Sequence, residues 1–372
     1  MNQSKKNLNM KIVYDYKIFN QPYGGVSRYY KTLAYELLKA GQDVKILPGL
    51  HINNYLGELP KNIIKGFKLK SYPKKSAALF NGINHLFNEF EMRLDRPDLI
   101  HETYYSSLPH FKSNSIRVTT VYDMIHELYG CDFSNNDKTK IIKKAVISRV
   151  DHILCISEST KNDLINILGV DEEKISVVHL GVDVDAFRYK MKSKITKPFL
   201  LYVGNRSGYK NFNIFIKAFA SCNKLKSEFN IIAFGGGQLS LSESQLIKKN
   251  GLLENQVIQI SGGDDKLIEL YQQATAFIYP SKYEGFGLPP LEAMASNCPV
   301  ISSNTSSMPE VVNQAGEYFD PLNIESIRDA IKKVVFSEER TKELIKLGNE
   351  NLKNFSWEKC ANETINVYKK LL

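Results

Sequence analysis

The chain has 372 residues, 43% hydrophobic and 24% charged, an ordinary globular balance that excludes a disordered, collagen-like or disulfide-scaffold protein. At roughly 150 residues per domain, that length favours two domains. The formal charge is +9, most of it carried by the first half, which favours anionic partners. No apolar run approaches the ~18 residues of a membrane span. The polar start, residues 1–10, has no apolar core for a secretory signal, so a cytoplasmic protein is expected. Five scattered cysteines, Cys131, Cys155, Cys222, Cys298 and Cys360, form no metal or redox cluster and read as small buried hydrophobes.

Short β-branched runs alternate with helical stretches along the first half. Strands are expected at Lys11–Tyr16, Asp43–Leu47, Leu99–Glu102, Arg117–Tyr122, His152–Ile156 and Ile175–Leu180. Helices are expected at Val26–Ala40, stopped by Gly41, and at Asn136–Arg149. Asn20-Gln21-Pro22-Tyr23-Gly24-Gly25-Val26-Ser27-Arg28-Tyr29 follows the first strand. Its Gly-Gly step leaves amides free to approach an anion or a sugar, or is an ordinary strand-to-helix turn. Lys61, Lys65, Lys68, Lys70, Lys74 and Lys75 occur with no acid between Leu59 and Ser76. That run reads equally as a patch for an anionic surface (phospholipid, polyphosphate or nucleic acid) and as a solvated loop.

The second half repeats the scheme, with strands expected at Phe199–Val203, Asn230–Phe234, Val257–Ile260, Ala276–Tyr279 and Val300–Ser302. Helices are expected at Asn213–Cys222 and Lys266–Ala274. Strand alternating with helix implies parallel sheets covered on both faces, an α/β architecture of two doubly wound domains. The polar segment 182–198, ending at Pro198, reads as the linker between them. The carboxyl ends of both sheets can then face one interdomain cleft.

Two loops could carry chemistry there. Ser281-Lys282-Tyr283-Glu284-Gly285-Phe286-Gly287-Leu288-Pro289-Pro290-Leu291-Glu292 reads as strand end, glycine loop and helix start. Exposed amides and the positive end of a helix dipole suit a phosphate or sugar hydroxyls, and the carboxylates of Glu284 and Glu292 suit vicinal diols. Leu201-Tyr202-Val203-Gly204-Asn205-Arg206-Ser207-Gly208-Tyr209-Lys210-Asn211 places two cations beside a glycine loop, which fits a diphosphate. It is neither a Walker loop nor the dinucleotide fingerprint.

Taken together these segments resemble the retaining nucleotide-sugar glycosyltransferases of family 4, also called group 1, in particular O-antigen-type mannosyltransferases. The resemblance covers nearly the whole chain. It includes His101-Glu102-Thr103-Tyr104-Tyr105, Val121-Tyr122-Asp123-Met124-Ile125-His126-Glu127, His179-Leu180-Gly181-Val182-Asp183, Gly235-Gly236-Gly237 and Phe355-Ser356-Trp357-Glu358. It implies a GT-B fold: an acceptor domain over 1–181, the linker 182–198, a donor domain over 199–354 and a final helix over 355–372.

By this resemblance Arg206 and Lys210 clamp the donor diphosphate, Glu284 meets the donor sugar and Glu292 holds the ribose hydroxyls. Gly285, Phe286, Gly287 and Leu288 contact sugar or phosphate, Gly24 and Gly25 close over the diphosphate, and Gly204 and Ile260 border the nucleotide. Many members have histidine directly before the aspartate where this chain has Tyr122-Asp123, so His126 or His101 becomes the candidate for that role. The resemblance further implies a nucleotide-sugar donor, GDP-mannose before UDP-hexose, and a glycan or lipid-linked glycan acceptor. It implies no metal. The basic patch at 61–75 motivates a peripheral place at the inner face of a membrane for this cytoplasmic protein, and no nucleic-acid partner is expected. A non-catalytic sugar-nucleotide binder, a dinucleotide oxidoreductase and a GT-B epimerase or phosphorylase are the competing readings.

Overall fold

The structure, a computed structural model, describes residues 9–111, 113–189, 197–206 and 208–372. The first eight residues lie outside it, as do residues 190–196 of the expected linker. Two all-parallel sheets form. The first contains β1 (Lys11–Tyr14), β2 (Asp43–His51), β3 (Ile64–Lys68), β4 (Leu99–Glu102), β5 (Ile116–Val121), β6 (His152–Cys155) and β7 (Ile175–Val177), in the order β3-β2-β1-β4-β5-β6-β7. The second contains β8 (Phe199–Val203), β9 (Asn230–Phe234), β10 (Val257–Ile260), β11 (Ala276–Tyr279), β12 (Val300–Ser303) and β13 (Gly316–Phe319), in the order β10-β9-β8-β11-β12-β13. The central strands are buried on both faces, as β4, β6, β11 and β12 show throughout their length, because helices cover each sheet on both sides.

In each sheet the strand order reverses between neighbours that are far apart in sequence: β1 beside β4, and β8 beside β11. A crevice opens at such a switch point, outside the carboxyl ends of the strands. The loops after β8 and β11 are the two segments singled out by sequence. The topology therefore brings Gly204–Lys210 and Pro280–Gly287 to one place.

Two edge strands, β3 and β13, were not expected. β3 lies inside the lysine run, so residues 64–68 of that run are sheet rather than loop. Cys131 is exposed and Cys222 half-buried; only Cys155, Cys298 and Cys360 are buried as expected.

The last helix, Trp357–Leu371, leaves the second sheet and packs on the Gly25–Lys39 helix of the first domain. Tyr368 Oη lies 2.6 Å from His101 Nδ1, and His101 Nε2 lies 3.0 Å from Tyr30 Oη. Burial holds the His101 pKa down at about 3. His101 is thus a neutral core residue linking β4 to the returning helix.

Further pins join the domains. The Glu310 carboxylate, in the second domain, accepts the Glu158 amide at 2.9 and 3.0 Å, at the start of the Glu158–Leu168 helix of the first. It also meets His179 Nε2 at 2.6 Å. A carboxylate at a helix N-terminus is favoured by the free amides and the dipole. Glu310→Ala removes both contacts and is expected to lower unfolding free energy by about 1–2 kcal/mol. Urea titration against wild type measures this, and an unchanged midpoint would remove Glu310 from the interdomain account.

Candidate active site

A cavity of about 470 Å³ lies between the domains. From the second domain Lys210, Glu284, Gly285, Phe286, Gly287, Leu288 and Glu292 line it; from the first, Gly25, Arg28, Tyr122 and Asp123.

The loop before the Leu288–Ala295 helix is held from behind. Ser307 Oγ donates to the carbonyls of Glu284 at 2.9 Å and Phe286 at 2.7 Å, while Ser306 Oγ accepts the Glu284 amide at 2.9 Å. Across the cleft, Ser157 Oγ donates to the Gly285 carbonyl at 2.6 Å. Among the described residues no acceptor takes the amide hydrogens of Gly285, Phe286 or Gly287. The carbonyls are occupied and the amides are free, which makes the loop an oxygen-binding cradle. Gly287 caps the helix at φ +113°, in the region that favours glycine, and proline fills the first turn as the sequence implied. A Cβ on Gly285 would stand 1.8 Å from the Tyr122 carbonyl oxygen of the facing domain.

Lys210 Nζ bonds Glu284 Oε1 at 2.6 Å, with both side chains largely buried at the cavity wall. Glu292 is reached by the Tyr271 hydroxyl at 3.2 Å. Burial raises its pKa to about 7, against the opposing pull of Arg28 and of the Tyr271 hydrogen bond. Arg28 reaches across the mouth to Asp264 at 3.4 Å. Sequence reasoning gave Arg28 no role, although its place one turn into the helix that follows Gly24-Gly25 was a readable signal.

Several expected site residues lie elsewhere. The Arg206 guanidinium is buried and faces away from the cavity. It bonds Glu243 Oε1 at 2.7 Å and the carbonyls of Gly235 at 2.7 Å, Gly237 at 3.0 Å and Gln238 at 2.9 Å. These acceptors outcompete an open cleft, so Arg206 here holds the glycine loop after β9. His126 stacks on Phe133 with ring centroids 4.0 Å apart and meets Asp137 at 2.8 Å, and it does not line the cavity although Ile125 beside it does. Tyr122 and Asp123 occupy the wall in its place. Gly204 and Ile260 sit at the ends of β8 and β10, outside the lining. Gly24 opens instead on an adjoining cavity of about 430 Å³, which shares Gly25 and Val26 with the first.

Among the described residues the one group of three metal-capable side chains, His85, Glu89 and His110, lies away from this cavity. His110 bridges Glu89 at 2.5 Å and Asp15 at 3.4 Å.

Comparison with known proteins agrees with this geometry. Residues 183–351 match the model of "Glycosyl transferases group 1" and residues 23–186 that of "Glycosyltransferase Family 4". The chain is 25% identical to O-antigen chain mannosyltransferase B of Escherichia coli, over 97% of this chain and 100% of that one. It is 31% identical to O-antigen chain mannosyltransferase RfbU of Salmonella typhimurium, over 62% of this chain and 64% of that one, a little under two thirds of RfbU. The crystal structure of Anabaena HepE in complex with UDP-glucose shares the fold, with a TM-score of 0.73 and 17% identity over 97% of this chain and 100% of that one. Two parallel-sheet domains, a cleft between their switch points and both family matches agree: the chain belongs to the group 1, family 4 glycosyltransferases and has the GT-B fold.

Proposed function

We propose that the protein transfers a hexose, with retention, from a nucleotide-sugar to a glycan or lipid-linked glycan in surface-polysaccharide synthesis. GDP-mannose is the favoured donor and a UDP-hexose the next. The observation that carries this reading is the convergence on one cavity of the Lys210–Glu284 pair, three free amides and the half-buried Glu292. The names of the relatives support mannose and an O-antigen acceptor. The proposed setting is the cytoplasmic face of a membrane; no helix among the described residues is long and apolar enough to cross one.

In this reading the donor diphosphate lies against Lys210 and the N-termini of the Leu288–Ala295 and Gly25–Lys39 helices. Glu284 and the amides of residues 285–287 hold the sugar, and Glu292 accepts hydrogen bonds from the ribose diol. The anomeric carbon–oxygen bond breaks with its electron pair leaving on the nucleoside diphosphate. The acceptor hydroxyl attacks from the same face and gives its proton to the departing phosphate oxygen. Lys210 and the helix dipoles meet the charge that develops there. Arg206 acts as a positioning residue by fixing the loop at 235–238. Transfer from GDP-mannose and UDP-glucose, followed by the anomeric configuration of the product, tests the proposal. It predicts hexose transfer with an α-product, equal in rate with and without EDTA; an inverted product or no transfer from either donor overturns it.

Glu292 adds a pH dependence. Its folded pKa of about 7 stands above the usual 4.5, so the protonated form is favoured in the free protein. The stability this contributes is full below the unfolded value and is lost as pH rises through about 7. A ribose diol favours the carboxylate, so nucleotide affinity is expected to rise with pH through the same range. Calorimetric titration of nucleoside diphosphate across that range should show the rise in wild type and a flat profile in Glu292→Gln. A rise that survives in the variant assigns it to another group.

A further inference from the structure

The Ala77–Asp95 helix is built inside out. Its buried side is polar: Asn84 bonds the Leu50 amide at 2.8 Å and the Leu50 carbonyl at 3.0 Å, Asn88 donates to the Leu47 carbonyl at 2.7 Å, and Glu89 meets His110. Its outer side is apolar. Leu79, Ile83, Leu86, Phe90 and Leu94 follow one another by four, three, four and four residues, which aligns them on one helix face. Leu79, Leu86 and Leu94 are each 64% exposed and Phe90 60%. Isolated exposed apolar residues are common, but a continuous row along about four helical turns marks a contact surface.

The charge around this row has one sign. The helix acids are turned inward and neutralised: Glu91 pairs with Lys65, and Asp95 with Lys45 at 2.7 Å. Lys74 and Lys75 are exposed just before the helix, and Arg93 and Arg96 are exposed near its end. On β3, Phe67 is 76% exposed and shares a strand face with Lys65, which reaches the helix; Lys68 and Lys70 beside it are exposed. None of Lys68, Lys70, Lys74 and Lys75 pairs with an acid among the described residues. An apolar row bracketed by unpaired cations complements a surface with acidic headgroups outside and hydrocarbon beneath.

We infer that this helix lies flat in the interface of an anionic phospholipid bilayer, with its leucine and phenylalanine row inserted and the lysines of residues 68–75 on the headgroups. The lysine run is thus one half of a site whose other half, the apolar row, is formed by the helix. Docking deepens the proposed function, because a lipid-linked acceptor is reached from such a surface, but it is tested without donor or acceptor.

The test is co-sedimentation of the full chain with vesicles of phosphatidylethanolamine and phosphatidylglycerol, and with phosphatidylcholine vesicles. Wild type should bind the anionic vesicles, release in high salt, and bind phosphatidylcholine at least about tenfold more weakly. Leu86→Ser with Phe90→Ser should lower anionic binding by about tenfold or more, and Lys74→Glu with Lys75→Glu should do the same at low salt. Both pairs are solvent-exposed, so unfolding midpoints and nucleotide binding should match wild type. Failure of wild type to sediment overturns the inference. So does a homodimer that the Leu86/Phe90 variant dissociates, since a second copy would then cover the row. Vesicle binding that persists in a protein without hexosyl transfer overturns the proposed function and leaves this inference standing.

Discussion

Lys210→Ala is expected to lower kcat about 10²–10³-fold, the usual cost of removing one preorganised group that meets charge developing in a transition state. The same change leaves Glu284 largely buried without its cation, 2.6 Å from where Nζ stood. A fully buried broken pair costs about 3–5 kcal/mol and an exposed one under about 1 kcal/mol. This pair borders an open cavity, so a loss of about 1–3 kcal/mol of stability is expected. The two effects separate in the double variant. Lys210→Ala with Glu284→Gln removes the stranded charge, so stability should return towards wild type while turnover stays at or below the single variant. Steady-state kinetics and urea unfolding on the same preparations give both numbers. Recovery of activity along with stability would make the pair structural and move the leaving-group site elsewhere.

Gly285→Ala should cost at least about 10² in kcat/KM without touching a charged group. The added carbon would stand 1.8 Å from the Tyr122 carbonyl oxygen, far inside contact distance, and that oxygen is backbone of the opposite domain. The domains must part, which breaks the Ser157 and Thr160 hydrogen bonds to the Gly285 carbonyl. A displacement on the order of 1 Å at the reacting atoms is enough for a loss of this size. The clash lies between the domains rather than inside either, so each domain should stay folded. Kinetics together with the radius of gyration from solution scattering test this; normal turnover in the variant would mean the closed cleft is not the working state.

Much of the fold was readable because its signals are local. Runs such as Phe199–Val203 and Ala276–Tyr279 are apolar throughout, and only strands covered on both faces carry such runs. The exceptions are instructive. β3 has the sequence Ile64-Lys65-Gly66-Phe67-Lys68, whose lysines and glycine mask an edge strand that has a neighbour on one side only. The Ala77–Asp95 helix escaped notice because its period is sound but its polarity is reversed. At the site, Glu284, Glu292, Lys210 and the glycines were legible from the chemistry of their loops. Arg206 looked equivalent to Lys210, and only the fold shows its guanidinium taken by the 235–238 carbonyls and Glu243. Contacts such as His179 with Glu310 join residues 131 positions apart, a distance over which local pattern carries no information.

The most direct test of the central claim, a nucleotide-sugar site at the Lys210–Glu284–Glu292 cleft, is thermal unfolding with GDP, UDP, ADP and NAD⁺ in turn, on wild type and on Lys210→Ala. A ligand at 100 times its Kd adds about 2.7 kcal/mol to stability, which gives a clear shift in Tm. Stabilisation of wild type by GDP, or by UDP, but not by NAD⁺, with the shift lost or much reduced in Lys210→Ala, is the predicted result. A shift with NAD⁺ alone, or a GDP or UDP shift that Lys210→Ala leaves untouched, would contradict it.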